Sequence, residues 1–550
     1  MVDLHWTEVD HVTTVWTDAS MPLRAGLLFR TGRADETLVT SGQTHLIEHL
    51  SLSAVSKIPQ NNNGFVGGVV SGFVTVGHPQ EVSGFLANLC EALGALPGDR
   101  LEGEKQVLAA ENASRRYDFH SNLLAWRYGA KGYGLFAMQE LGLRKVNLEE
   151  LQSMASERFT RENAILWLTG PIPDGLHLNL PHGTKQPIPA LVPIQQKFPC
   201  WFLDNACGGV AVGSVVPRSY AAPIFQQIVS KRLLNRLRSD QALSYAPSVF
   251  YDHLDLNTAH LILFADSEKE RRKKLANLFG EIFSDLSIID ANELEEARNQ
   301  ILEQYIGFLA PQDDNRKMIE IQRAAMDWIM GDEFESMESI ADHYKSVTLD
   351  DVTAFTRSVQ ATAIFALPGE ASLLPVFGKQ AISSIVAPVQ GRKTTHRDSP
   401  VRPEKLIYGP EGVSIVRPKG PLHTVRYSDL AAAICFPDGG IHLVGNDSTA
   451  IMVEPNLWRG GEAICRKIRE QVPAWLIIDE PARSEKAIPK PSTTAWQRFI
   501  AWVDQHGNFG ATTQPKNRLA LRRVFKIFYW GFLAAMILGF LNFILWIFLY

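Results

Sequence analysis

Cysteine is scarce. Cys90, Cys200, Cys207, Cys435 and Cys465 are five scattered thiols in 550 residues, an odd number with no C-x-x-C pair. This excludes a disulfide frame and a cysteine zinc site, and points to reduced thiols. An excess of one charge is also missing: 54 basic against 59 acidic residues leave a formal net charge of -5, which gives no reason to expect nucleic acid as a partner. Residues 1–20 carry acidic side chains and no apolar core, so no secretory signal is expected there.

The strongest feature present is His45-Leu46-Ile47-Glu48-His49, an H-x-x-E-H motif. On an α-helix, residues four apart lie one above the other, so His45 and His49 share a face and Glu48 sits beside them. Two imidazoles aimed at one point, with a carboxylate in reach of a metal's water, form a zinc-hydrolase geometry. A catalytic zinc takes three protein ligands and keeps a fourth position open, so one more His, Asp or Glu is required. Glu111 meets that requirement. Pro97 to Glu111 reads as a helix opening after Pro-Gly with Asp99 as N-cap, which sets Glu104 and Glu111 two turns apart on one face. On spacing alone, such a pair is more often a solvated helix face.

Together these residues resemble the pitrilysin and insulinase family of zinc peptidases, the inverzincins with the inverted H-x-x-E-H order. In that family a downstream helix carries one Glu and, seven residues later, the Glu that ligates zinc; Glu104 and Glu111 match. Gly32-Arg33-Ala34-Asp35-Glu36 is similar to the family's Gly-x-x-Asp-Glu turn. Asn63-Gly64-Phe65 and Gly72 to Val76 resemble its edge strand, which pairs with an extended substrate peptide. Arg238 and Tyr245, in Leu237-Arg238-Ser239-Asp240-Gln241-Ala242-Leu243-Ser244-Tyr245, match an Arg and Tyr seven residues apart that bind the substrate carbonyl region. The loop between His49 and Asn63 is shorter than the family's.

The resemblance implies one Zn2+ per chain on His45, His49 and Glu111, and a metalloendopeptidase in which Glu48 is the catalytic base and acid. It also implies Glu104 supporting from behind, and Arg238 and Tyr245 steadying the oxyanion or the peptide carbonyls. Family members of this length pair as homodimers or heterodimers that enclose a peptide, so Arg238 and Tyr245 act across the dimer. The family also contains non-catalytic partners. A membrane-tethered scaffold, or a binding module whose C-terminal domain carries the function, are the alternative readings.

The chain repeats itself at an offset of about 200 residues. Val146-Asn147-Leu148-Glu149-Glu150-Leu151, leading to Ala164 to Pro171, is echoed by Val347-Thr348-Leu349-Asp350-Asp351-Val352, leading to Ala363 to Gly369. The fold class is therefore α+β, with two tandem related domains of the pitrilysin/insulinase (LuxS/MPP-like metallohydrolase) type: residues 1–172 carry the zinc motif and 200–385 do not. Residues 386–402 read as a linker. Residues 403–475 read as a small β-rich domain closed by an amphipathic helix at about Leu457 to Gln471. That domain resembles pleckstrin-homology-like domains, or is an adapter without a ligand of its own. Residues 476–515 form a second tether.

Ile527 to Tyr550 is an uncharged run of 24 residues, long enough to cross a hydrocarbon core of about 30 Å. Lys516, Arg518, Arg522, Arg523 and Lys526 precede it, which keeps that side cytoplasmic. The expectation is a tail-anchored, single-pass membrane protein with a cytoplasmic peptidase.

Overall fold

A computed structural model describes residues 2–498, apart from 20, 21, 56–60, 196, 309–312, 382–386 and 419. Among the described residues, no helix is long and apolar enough to cross a membrane. The expected span 527–550 lies outside them, as does the tether beyond 498.

The first unit is built on β1 (His5–Val9), β2 (Val12–Trp16), β3 (Leu23–Phe29), β4 (Asn62–Val66), β5 (Ser71–Gly77) and β6 (Ala164–Leu168), in the order β1-β2-β6-β3-β5-β4. Its helices are α1 (Gln43–Val55), α2 (Pro79–Gly94), α3 (Leu101–Ser114), α4 (Phe119–Tyr128) and α5 (Leu148–Arg158). The second unit has β7 (Cys200–Leu203), β8 (Gly209–Pro217), β9 (Ser248–His253), β10 (Thr258–Asp266), β11 (Ile364–Leu367) and β12 (Lys379–Gln380), in the order β12-β7-β11-β8-β10-β9. Its helices are α6 (Ala221–Leu233), α7 (Arg272–Ser284), α8 (Ala291–Phe308), α9 (Asp314–Met330), α10 (Met337–Ser346) and α11 (Leu349–Ala361).

The two sheets share a pairing scheme except at the first edge, where β1 is antiparallel to β2 and β12 is parallel to β7. β2 lies parallel to β6 as β7 does to β11, and the three further pairings in each sheet are antiparallel in the same succession. The repeat seen in sequence is the helix–strand step α5–β6 and α11–β11. Both helices open on a capping box, Asn147 with Glu150 and Thr348 with Asp351, which satisfies N–H groups that a helix start leaves orphaned. The strands that follow are wholly buried, AILWL and IFAL, as central strands covered on both faces must be.

The units also exchange helices. α4 of the first packs Leu123 and Trp126 against the second sheet at Phe202 and Ala211, and α9 of the second packs Ile321, Ala325 and Ile329 against Val15, Ile165 and Trp167 of the first.

Two details differ from the sequence reading. Asp99 does not cap α3: residues Gly98–Arg100 form a 3₁₀ turn whose own bonds, Arg100 N–H to Pro97 O and Leu101 N–H to Gly98 O, occupy the donors a cap would take. α6 continues into a π-helical turn over Leu234–Ser239 that carries Arg238. The linker 386–402 is not a linker. It contains β13 (Arg392–Thr395), and His396 and Asp398 are buried beyond it. A polar sequence suits β13 because it is the edge strand of its sheet and half of it faces water.

The C-terminal unit has two four-stranded sheets. β14 (Lys405–Gly409), β15 (Gly412–Val416) and β16 (His423–Arg426) follow β13 in the first. The second has β17 (Leu430–Cys435), β18 (Ile441–Gly445), β19 (Ala450–Val453) and β20 (Ile477–Asp479) in the order β19-β18-β17-β20. The helix α12 (Gly461–Gln471) buries Ile464, Cys465 and Ile468 in the shared core. It does not close the unit, because β20 follows and pairs parallel to β17. The second tether is likewise part of the fold at its start. Arg483 pairs with Asp438 and Glu454 and lies 4.1 Å over the Phe436 ring, and Asp398 accepts the N–H groups of Ser492 and Thr493 at 3.0 and 3.1 Å. All five cysteines are buried and unbridged.

Candidate metal centre

The site starts from the entry to α1. Glu36 turns its carboxyl onto the first turn, accepting the N–H of Gly42 at 2.8 Å and of Thr44 at 2.7 Å, which caps the helix start; burial pushes this carboxyl up to about 7 against those two bonds. Leu46, Ile47 and Leu50 are buried in the first unit's core and orient the helix. His45 and His49 are left on the opposite side, half-buried, with Glu48 buried beside them.

Each imidazole is held through Nδ1. His49 Nδ1 lies 3.2 Å from Glu104 Oε2, and His45 Nδ1 lies 3.3 Å from both carboxylate oxygens of Glu140. Both rings therefore present Nε2 to the same point, with centroids 4.9 Å apart and planes at 86°. There Glu111 completes the group, its oxygens 3.9 Å from His45 Nε2 and 3.8 Å from His49 Nε2. The three donor atoms lie within 4.8 Å of one another. A tetrahedral zinc with bonds of about 2.0–2.2 Å separates its ligands by about 3.4 Å, so the donor atoms, up to 4.8 Å apart, must draw together by at most about 1.4 Å to bind one ion. Two imidazoles and a carboxylate are a zinc donor set; magnesium and calcium favour all-oxygen sites. Imidazoles anchored by carboxylates through the far nitrogen are the support such a set needs.

Burial raises the Glu48 carboxyl above the ordinary carboxylate range; the neighbouring His49 and His45 oppose that rise, and Glu111 and Glu104 add to it. For His45, burial works against protonation, but the Glu140 hydrogen bond and charge prevail and raise it. Glu140 is itself buried, yet His45, Arg33 at 3.0 Å and Asn112 at 3.0 Å hold its carboxyl down at about 2.

β4 runs past this cluster as the last strand of its sheet, paired only with β5 among the described residues. Gly64 is needed there: an added Cβ would overlap the Glu48 carboxylate and lie 2.8 Å from its Cδ and Cγ. Asn63 precedes it in the strand, and Phe65, 39 % exposed, borders a cavity between the first two units walled by Leu124, Tyr133, Phe136 and Leu254. Arg238 and Tyr245 are brought together with each other, the guanidinium 5.2 Å from the ring centroid, on the second unit. Among the described residues neither bonds to the His45 cluster, and Tyr245 is 77 % exposed.

Two supporting residues escaped the sequence reading of roles. Glu36 lies inside the Gly-x-x-Asp-Glu turn noted for its form alone. Glu140 offered no local signal: it sits just before a 3₁₀ turn, Leu141–Arg144, 95 residues from the histidine it holds.

No protein-family model matches the sequence, and no curated protein matches it. Solved structures do. The first half of the periplasmic protease PqqL from Escherichia coli aligns with a TM-score of 0.55 at 13 % identity, covering 69 % of this chain and 94 % of that one. A protease from Helicobacter pylori aligns at 0.53 and 14 %, covering 67 % and 100 %. The peptidase M16 inactive domain from Pseudomonas fluorescens aligns at 0.55 and 12 %, covering 68 % and 98 %. The fold is thus a mixed α/β fold of the M16, pitrilysin-like peptidase type.

Proposed function

We propose that this chain is a zinc-dependent endopeptidase acting on peptides or flexible segments. The observation that carries the reading is the convergence of His45 Nε2, His49 Nε2 and Glu111, each imidazole backed by a carboxylate. Zinc bound there supplies a Lewis acid that lowers the pKa of a water and polarises a carbonyl. Glu48, buried and raised in pKa beside the cluster, takes the proton of the attacking water and returns it to the leaving amine. The open edge of β4 holds the substrate by strand addition, in which backbone hydrogen bonds accept many sequences.

Arg238 and Tyr245 serve the substrate carbonyls from a second chain, homomeric or heteromeric. Likeness to one half of PqqL supports a half-shell that pairs. The run 527–550 anchors the enzyme in a membrane with the peptidase units on the cytoplasmic side; accessibility of an engineered tag before residue 499 tests the side.

Zinc content and cleavage of a quenched, unstructured peptide library by the full chain test the core of the proposal. Wild type and Glu48→Gln should both bind about one zinc, and only wild type should cleave. Normal turnover by zinc-loaded Glu48→Gln refutes the role of Glu48. The likeness to an inactive M16 domain favours a second reading, a non-catalytic partner; wild type that binds zinc and cleaves nothing supports it.

A further inference from the structure

We propose that the C-terminal unit, residues 387–498, is a positioning element of the metal centre, holding His45 through Glu140 and the start of α1 through Glu36. The inference rests on the metal reading above.

One apolar cluster crosses the boundary. Leu38, Val39, Ala130, Leu135 and Leu141 of the first unit are buried with Leu430, Ala431, Val425 and Leu443 of the C-terminal unit. The first-unit residues come from segments that bracket the two supporting carboxylates. Leu38 and Val39 follow Glu36, and Leu141 follows Glu140 directly. The segments also lock to each other: Ser41 Oγ donates to Gln139 O at 3.3 Å, Gly142 N–H reaches Ser41 Oγ at 3.4 Å, and a Cβ at Gly142 would lie 2.6 Å from the Thr40 backbone.

Polar contacts fix the register of docking. Ala130 N–H donates to Asn446 O at 3.0 Å, Lys145 Nζ donates to Trp475 O at 2.9 Å, and Arg144 meets Glu480 at 3.3 Å. Gly129, at φ 76°, is a point of close approach, where an added Cβ would overlap the Asn446 carbonyl. Displacing the C-terminal unit would uncover the Glu140 segment. Glu140 would lose the backing that keeps it 3.3 Å from His45 Nδ1 and leave the ligand ring free to turn. Close packing transmits such a shift because neighbouring groups have no slack to absorb it.

The test measures zinc affinity by chelator competition, and the visible absorption spectrum of the Co2+-substituted protein, on full-length wild type, Gly129→Val, Glu140→Gln and the double variant. Glu140→Gln should weaken zinc about ten- to a hundredfold. Gly129→Val should weaken it about tenfold and shift the cobalt bands, and in the Glu140→Gln background it should cost nothing more, because both act through one contact. A merely structural role would give additive losses or none, and a folded Gly129→Val with wild-type affinity and spectrum overturns the proposal. Should Gly129→Val fail to fold, Arg144→Glu with Lys145→Glu opposes Glu480 from an exposed position. A measurable zinc loss there, reversed by Glu480→Arg, supports the proposal; unchanged affinity overturns it. Wild type that takes up no zinc refutes the metal reading itself, an outcome distinct from all of these.

Discussion

Glu104 offers a clean perturbation of the site, because it touches the metal group at one atom. Its carboxylate reaches His49 Nδ1 at 3.2 Å from α3, and its side chain is 17 % exposed. Glu104→Gln keeps the shape and an acceptor oxygen but removes the charge that orients the ring and raises its basicity. Loss of such a partner costs about 10–100-fold in metal affinity, or about 1.4–2.7 kcal/mol. Partial exposure screens the charge, which sets Glu104→Gln near the lower end, about tenfold. Glu104→Ala leaves Nδ1–H with no acceptor and belongs near the upper end. Zinc competition against a chromophoric chelator reads both, and turnover at saturating zinc should fall far less than affinity. Wild-type affinity in Glu104→Ala, or a larger loss in Glu104→Gln than in Glu104→Ala, refutes the reasoning.

Ending the chain at residue 381 should destabilise the first unit, since Leu38, Val39, Leu135 and Leu141 lose their cover. At about 1.5–3 kcal/mol per fully buried side chain, with roughly half of each newly wetted, the loss is about 3–6 kcal/mol; an unchanged urea midpoint would contradict it. Gly64→Val should push the Glu48 carboxylate aside and lower turnover about a hundredfold, with zinc content retained. Full turnover in that variant would show that Glu48 tolerates the shift. In the metal-free protein, the depressed Glu140 contributes stability above its unfolded pKa near 4.5 that is lost as pH falls toward 2. The raised His45 contributes stability below its unfolded 6.5 that is lost as pH rises through its folded value. The pair's contribution is therefore full between those unfolded values; the margin of wild type over Glu140→Gln should shrink as pH falls from about 4.5 toward 2 and should lose only the His45 share as pH rises past 6.5, and parallel melting profiles count against it.

His45, Glu48 and His49 were legible because helix period puts them at one face; Glu104 and Glu111 share a face by the same period, but the family resemblance, not the spacing, singled them out. The duplicated architecture was legible for a similar reason: a cap, an amphipathic helix and a buried strand recur as one local pattern. Glu140 was not, because nothing periodic places a residue at the edge of a 3₁₀ turn opposite a histidine 95 positions away. β13 was hidden by its own chemistry, since an edge strand half in water needs no apolar alternation. The docking of the C-terminal unit was hidden as well: Leu38, Val39 and Leu141 are isolated apolar residues in loops, and only tertiary contact gives them a common surface.

The stitches made by Arg483 and Asp398 define a load path. Arg483 is gripped by Asp438 and Glu454, and Asp398 holds the backbone at Ser492 and Thr493, so the chain leaves the C-terminal unit at a pivot fixed against that unit's strands. Charge-assisted hydrogen bonds are stronger than neutral ones, so these contacts are the first firm hold that a pull applied at residue 498 would meet. Tension is intercepted there, at two carboxylate-lined cleats, before it reaches the segments that steady His45.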